Sequence, residues 1–285
     1  MADWTAISRR NARSVQTTVG WIFWDPGAWA RYEKLGVPEM LGYIAARAAP
    51  LSPAGPDAVT AAFGSISPAA VRFAFDLVAA TTTFEEVTTA RDAAVLAGLA
   101  EFAPAILDPL AELGSKLWSV VEQLPTGGRV LFAAHLGQPR SADPVLSGWQ
   151  AVNCLREWRG DTHWAIVTAA GLTGIEGSIL HNAWLGYERD WLPISRGSSS
   201  DEIAAGWAAL ATKGLTAKDE VTPAGIQLRQ RIEDDTDRLT ALPWELLGES
   251  ISQWAAEALE PPCEKLLARV DVTAGPNYQP ASRVR

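Results

Sequence analysis

Residues 155–163 read Leu-Arg-Glu-Trp-Arg-Gly-Asp-Thr-His: two arginines, two carboxylic acids and one of the chain's three histidines within nine positions. They sit inside an otherwise apolar segment of about 144–172. At helical spacing Arg156, Arg159, Gly160 and His163 fall at i, i+3, i+4 and i+7, which is one face. Ionisable groups on a face that must pack are costly unless they pair or meet a ligand. Arg156 and Arg159 can form a fork for the carboxylate or phosphate of a small molecule. Glu157 and Asp161, four residues apart, can instead bridge to those arginines or to Arg47 in an internal network. One arrangement can do both. Gly160 costs about 1 kcal/mol relative to Ala inside a helix, which predicts either a close backbone approach or a helix break there.

His163 and His181 are the candidate catalytic pair, as acid–base groups near neutral pH or as ligands to a haem or a single metal. A structural metal needs three or four ligands. Only Glu157 and Asp161 stand beside this pair, and no HxxxH or HExxH spacing occurs. His135 precedes a Gly-Pro loop, a place where ligand-facing residues are often found. Trp149 and Trp164 flank the charged stretch and could wall a pocket, as could Trp21, Phe23 and Trp24; aromatic core packing is the alternative for all five. No GxGxxG or P-loop is present, which disfavours a nucleotide held that way.

The net charge of −9 argues against a general nucleic-acid binder, whose affinity rests on Lys and Arg. Cys154 and Cys263 form neither a disulfide framework nor a CxxC knuckle, pointing to a reducing, cytoplasmic compartment. Residues 1–11 lack the apolar core of a signal peptide. No run of about 18 apolar residues occurs, so no membrane partner is expected.

The elements that must position these residues are helical. Gly36 stops a helix at 32–35, and Pro38 opens another reaching Arg47. Residues 48–56, with three prolines, read as a loop, and 59–63 as a short helix. Ser67-Pro68 is an N-cap with Pro at N1. Thr83 with Glu86, Thr173 with Glu176, and Ser199 with Glu202 are capping boxes. Residues 107–124 are amphipathic. Residues 125–128 break the pattern and are the preferred boundary, and 129–134 could form a short strand. The long helix bearing the charged stretch ends at Gly171, and 193–200 read as a polar linker. After Gly214, residues 215–221 have the length of a small hairpin, and Thr222-Pro223 starts a helix to about Leu239.

Helix, helix, wing, helix resembles the winged-helix pattern. Lys213-Gly214-Leu215 followed by Val221-Thr222-Pro223-Ala224-Gly225 resembles regulators of the MarR type. Over roughly 24–248, the tracts Arg47-Ala48-Ala49-Pro50-Leu51, Leu131-Phe132-Ala133-Ala134, Leu155-Arg156-Glu157 with Arg159-Gly160-Asp161 and His163, Ala169-Ala170-Gly171-Leu172 and His181 resemble an actinobacterial helix-turn-helix family. The chain departs from that family's pattern at Trp158, where a second histidine is expected. The resemblance implies tandem helix-turn-helix-like domains and no established reaction.

The expected fold is mainly α, with two helix-turn-helix or winged-helix-like domains and small β wings: residues 1–125 and 126–285, the winged-helix-like module lying at about 198–242. A DNA-reading helix presents Arg, Lys, Asn or Gln to the groove, whereas residues 201–213 offer only Lys213. From Ser198 to Leu242 there are eight acids against five bases, a balance that repels a phosphate backbone. The expectation is a pocket between the charged helix and the His181 helix that binds a small organic ligand, on a winged-helix scaffold not used for DNA. Its rivals are a dimeric, ligand-sensing MarR-like regulator and a haem- or metal-dependent enzyme.

Overall fold

A computed structural model describes residues 2–274. The described residues are mainly α-helical, with one two-stranded hairpin. Where the sequence carries cap chemistry, helices start as expected. Ser67 Oγ accepts from Ala70 N ahead of α5 (Pro68–Thr81). Both halves of the capping box form at α6 (Phe84–Phe102), α10 (Gly174–Leu185) and α12 (Ser200–Thr212), satisfying N–H groups that the first turn leaves without partners.

The centre of the molecule is α9 (Pro144–Ala169), the long helix carrying the charged stretch. Its first half packs on α7 (Leu107–Val121). The backbones nearly touch there: a Cβ on Gly148 would lie 2.0 Å from Leu110 O, and one on Gly114 3.2 Å from Gly148 Cα. Only glycine admits that approach. Two further helices close this core. α1 (Trp4–Gly20) lies along α15 (Glu249–Thr273) and on α9. The resulting core runs from Val15 to Val270 and includes residues on both sides of 125–128, among them Leu113, Trp118, Phe132 and Trp149.

Two smaller cores flank it. One is built by α3 (Glu39–Ala48), α4 (Pro56–Phe63) and α5, around Ile44, Val59, Phe63 and Val71. The other is built by the end of α9 with α10, α12 and α13 (Pro223–Leu239), around Val167, Ile179, Leu180, Leu210 and Ile232. Its hairpin, β1 (Thr216–Ala217) with β2 (Glu220–Val221), is antiparallel with Thr216 opposite Val221. Helix, helix, wing, helix is therefore the arrangement of the second unit. The two units meet where Gly174, opening α10, abuts Gly64 after α4; a Cβ on Gly174 would fall 1.9 Å from Gly64 O. Ser67 N also donates to Arg196 O across the same junction.

Four local expectations are corrected. Residues 129–134 form no strand; Arg129 is the N-cap of α8 (Val130–Leu136), to which the rest belong. A short apolar run carries no period that separates strand from helix, and here Asp161 decides: its Oδ2 accepts from Phe132 N at 2.8 Å, capping α8 from a neighbouring helix. Residues 49–54 are a 3-10 turn, and the expected linker at 193–200 begins with α11 (Trp191–Ser195). α9 runs unbroken through Gly160, and a Cβ there would make only an ordinary contact, 3.7 Å from Glu157 Oε2. Gly160 marks neither a break nor a close approach. No single helix among the described residues is long and apolar enough to cross a membrane.

Candidate functional site

α9 delivers Arg156, Glu157, Arg159, Gly160 and His163 to one cavity of about 310 Å³, and α10 delivers His181 to the same cavity. α1, α3 and α13 supply the other walls, with Gln16, Arg47 and Arg229 among their contributions. Seven arginines and three carboxylates line it, a local excess of four positive charges in a chain of net charge −9.

The charges form two networks. In the first, Glu157 is fully buried and accepts from Arg47 through both oxygens (Nε–Oε1 2.9 Å, Nη2–Oε2 2.7 Å) and from Arg156 Nη1 at 2.7 Å. Burial alone would raise the Glu157 pKa; Arg47 and Arg156 outweigh it and hold the carboxylate far below its ordinary range. Arg47 also lies over the Phe63 ring, 4.4 Å from its centroid. In the second, Arg159 Nη2 reaches Glu233 Oε1 (2.6 Å) and Asp237 Oδ1 (2.8 Å), and its Nη1 donates to Thr240 Oγ1 (3.0 Å). Against the cost of burial, Arg229 and Arg159 hold Glu233 down at about 2.

Arg229 is the exception to this pairing. It is 2% exposed, and its Nη2 donates to Glu233 Oε2 at 2.7 Å, but Nε and Nη1 are buried without a partner among the described residues. Its guanidinium stacks 4.8 Å from the Trp184 centroid. Burial lowers its pKa, although an arginine stays charged at any physiological pH. A buried cation short of partners is costly unless an anion completes it.

Both histidines of the cavity are neutral at pH 7. Burial, reinforced by Arg229, pushes His163 down to about 3 and His181 well below its ordinary value. His163 Nδ1 lies 3.1 Å from Thr236 Oγ1, whose own proton goes to Ile232 O at 2.6 Å. The shared hydrogen therefore sits on Nδ1, which leaves Nε2 as an acceptor. Neither ring nitrogen of His181 has a hydrogen-bond partner among the described residues; its ring lies 5.9 Å from that of Trp184.

The remaining candidates lie elsewhere. Trp149 is buried in the main core, its indole N–H donating to Thr18 O at 2.9 Å, and it borders a different cavity, of about 430 Å³. Asp161 caps α8, and burial raises it to about 6 despite its bond from Phe132. His135, on α8, lies 3.1 Å from Asn153 Nδ2 beside the same cavity as Trp149, and burial lowers it to about 4. The donor set does not fit a metal: among the described residues no three His, Cys, Asp or Glu side chains converge. Sequence reasoning missed Arg229, Glu233 and Asp237 as cavity residues. Their i, i+4, i+8 spacing on α13 puts them on one face, but which helix that face meets is set only by the fold.

No curated protein matches the chain, and no solved structure does. Residues 8–273 match a family described as the Helix-turn-helix family, so the match takes in both flanking units and the α1–α15 pair packed between them. The chain belongs to the Helix-turn-helix family.

Proposed function

We propose that this chain binds a small organic anion in the cavity between α9, α10 and α13, and that its helix-turn-helix units build the receptacle rather than read DNA. The observation that carries the reading is Arg229: a buried guanidinium, two of whose nitrogens lack partners among the described residues, in the wall of a cavity with an excess of four positive charges. A carboxylate or phosphate would complete its hydrogen bonds. Arg156 and Arg159, held in place by their carboxylates, would add to the field that attracts it. His163 and His181, both neutral, would exchange a hydrogen bond or a proton with the bound molecule.

The outward faces of the units support the second half of the proposal. On α12 the exposed residues are Ser200, Asp201, Glu202, alanines and Thr212, with Lys213 exposed just after its end. Lys213 is already engaged, its Nζ 2.6 Å from Glu176 Oε1 and 2.8 Å from Gly171 O. Arg229, one of the bases nearby in sequence, is buried. On α5, Arg72 pairs with Asp57 and the outward aromatic is Phe73.

The test is thermal unfolding with benzoate, inorganic phosphate and the neutral isostere benzamide. Saturating benzoate raises the melting temperature by several degrees, as about 2.7 kcal/mol at a hundredfold excess over Kd requires; benzamide does not. Arg159→Ala and His163→Ala remain folded and respond less. An equal response of wild type and both variants removes the site. A gel shift against the gene's upstream DNA gives weak, non-specific binding; specific binding with a steep salt dependence would overturn the separation of this scaffold from DNA.

A further inference from the structure

The polar cavity has an apolar neighbour. A second cavity, of about 400 Å³, shares Gln16, Arg47, Arg156, Leu192 and Arg196 with it. The walls beyond this boundary are mostly aromatic and aliphatic, with Trp21, Phe23, Trp24, Tyr43 and Trp191 prominent and Thr17, Glu39 and Ser195 the polar members. Phe23 meets Trp24 and Tyr43 edge-on at 4.8 and 4.7 Å, and Trp24 lies 6.3 Å from Trp191 at 34°. Such a set of rings offers both faces and edges to a planar guest.

The boundary between the cavities is unequal in strength. Arg47 is fixed by its two-pronged bond to buried Glu157. Gln16 and Arg156 are joined by one neutral-acceptor hydrogen bond, Nε to Oε1 at 3.1 Å. Arg156 is itself held by Glu157 at 2.7 Å, so uncharged Gln16 is the side of this contact that yields more easily.

Neither cavity alone suits a simple ligand. A bare phosphate would use the arginines and leave the aromatic chamber idle. A hydrocarbon would fill the aromatic chamber and leave Arg229 without its anion. Taken together they have the size and lining of an ordinary organic-ligand site, mostly apolar with a few convergent polar groups. Resting on the anion-binding reading above, we propose that the two chambers form one site for an amphipathic acid. Its aryl body lies among Trp21, Phe23, Trp24 and Tyr43, and its flexible arm passes Gln16 and Arg156 to place a carboxylate at Arg229.

The experiment is a calorimetric or tryptophan-fluorescence titration of the full chain with three probes: 6-phenylhexanoate, its alcohol 6-phenylhexan-1-ol, and benzoate. Wild type binds 6-phenylhexanoate at least tenfold tighter than either of the others. Trp24→Ala abolishes the advantage of the longer acid over benzoate, and Met40→Trp, which fills the aromatic chamber, does the same should Trp24→Ala fail to fold. Arg229→Gln brings the acid down to the level of the alcohol. Equal binding of the two acids, with Arg229 still required, would show separate chambers: this extension falls and the anion site stands. Equal binding of acid and alcohol to wild type would remove the anion site itself, and this proposal with it.

Discussion

Glu157→Ala lowers the melting temperature by roughly 10 °C, the largest effect expected of any single substitution in the charged stretch. Glu157 is fully buried and takes three hydrogen bonds from two guanidinium groups, Arg47 and Arg156. Those side chains are only 12% and 14% exposed. Removing the carboxylate leaves two like charges side by side with little water to screen them. Breaking a buried pair in this way costs about 3–5 kcal/mol, and a chain of this size loses about 2–4 °C per kcal/mol. The double variant Glu157→Leu, Arg47→Met removes charge on both sides, and loses less than the sum of its single variants because the partners are coupled. Urea melts of wild type, Glu157→Ala, the double variant and its two single variants check this. A loss below about 1 kcal/mol for Glu157→Ala would mean that the network stands in water.

Acid unfolds the protein progressively from about pH 6.5 downward. His163 and His135 are held neutral to about 3 and 4 in the fold, and His181 is lowered well below its ordinary value. Each takes up a proton near pH 6.5 once the chain unfolds. The unfolded chain then binds more protons than the folded one, so stability is complete above pH 6.5 and declines as pH falls. Each histidine contributes up to about 1.4 kcal/mol per pH unit. Asp161 works the other way: raised to about 6, it is protonated in the fold while still ionised in the unfolded chain, and returns stability between about 6 and 3.8. Three histidines against one aspartate leave a net decline of roughly 3 kcal/mol per pH unit at most. Below about pH 4.5 the depressed carboxylates Glu157 and Glu233 steepen it. Melting temperatures from pH 8 to 4 give this slope, and His163→Gln flattens it. A profile level from pH 7 to 5 would contradict the neutral, buried histidines.

Local chemistry made much of the fold legible. A capping box or a Ser-Pro pair satisfies a helix's first N–H groups whatever lies around it, and Thr83, Thr173, Ser199 and Ser67 do so here. α1 is harder to read because its buried face is mostly small and polar, with Ser8, Asn11, Ser14, Thr17 and Thr18 beside Val15 and Val19. α15 runs on through Pro261 and Pro262, residues that ordinarily end or kink a helix, so local chemistry does not mark its length.

The site divides in the same manner. Arg156, Arg159, Gly160 and His163 converge because one helix carries them at one-face spacing. Glu157 finds Arg47 across 110 residues and Arg159 finds Glu233 across 74, which only packing arranges. Glu233 was visible only as an acid in a charge count. Trp149, close to the stretch in sequence, is drawn into the core by α1. The aromatic chamber was legible only as a rival use for Trp21, Phe23 and Trp24, because nothing in the chain places them beside Arg156 before it folds.

The central claim is that the cavity at Arg229 holds an organic anion. A crystal of the protein soaked in 4-bromobenzoate, with the bromine located by its anomalous scattering, tests it most directly. The account predicts one bromine inside the joined chambers and the carboxylate within hydrogen-bonding distance of Arg229 Nε or Nη1. Bromine only on the outer surface, with water alone against Arg229, would contradict it.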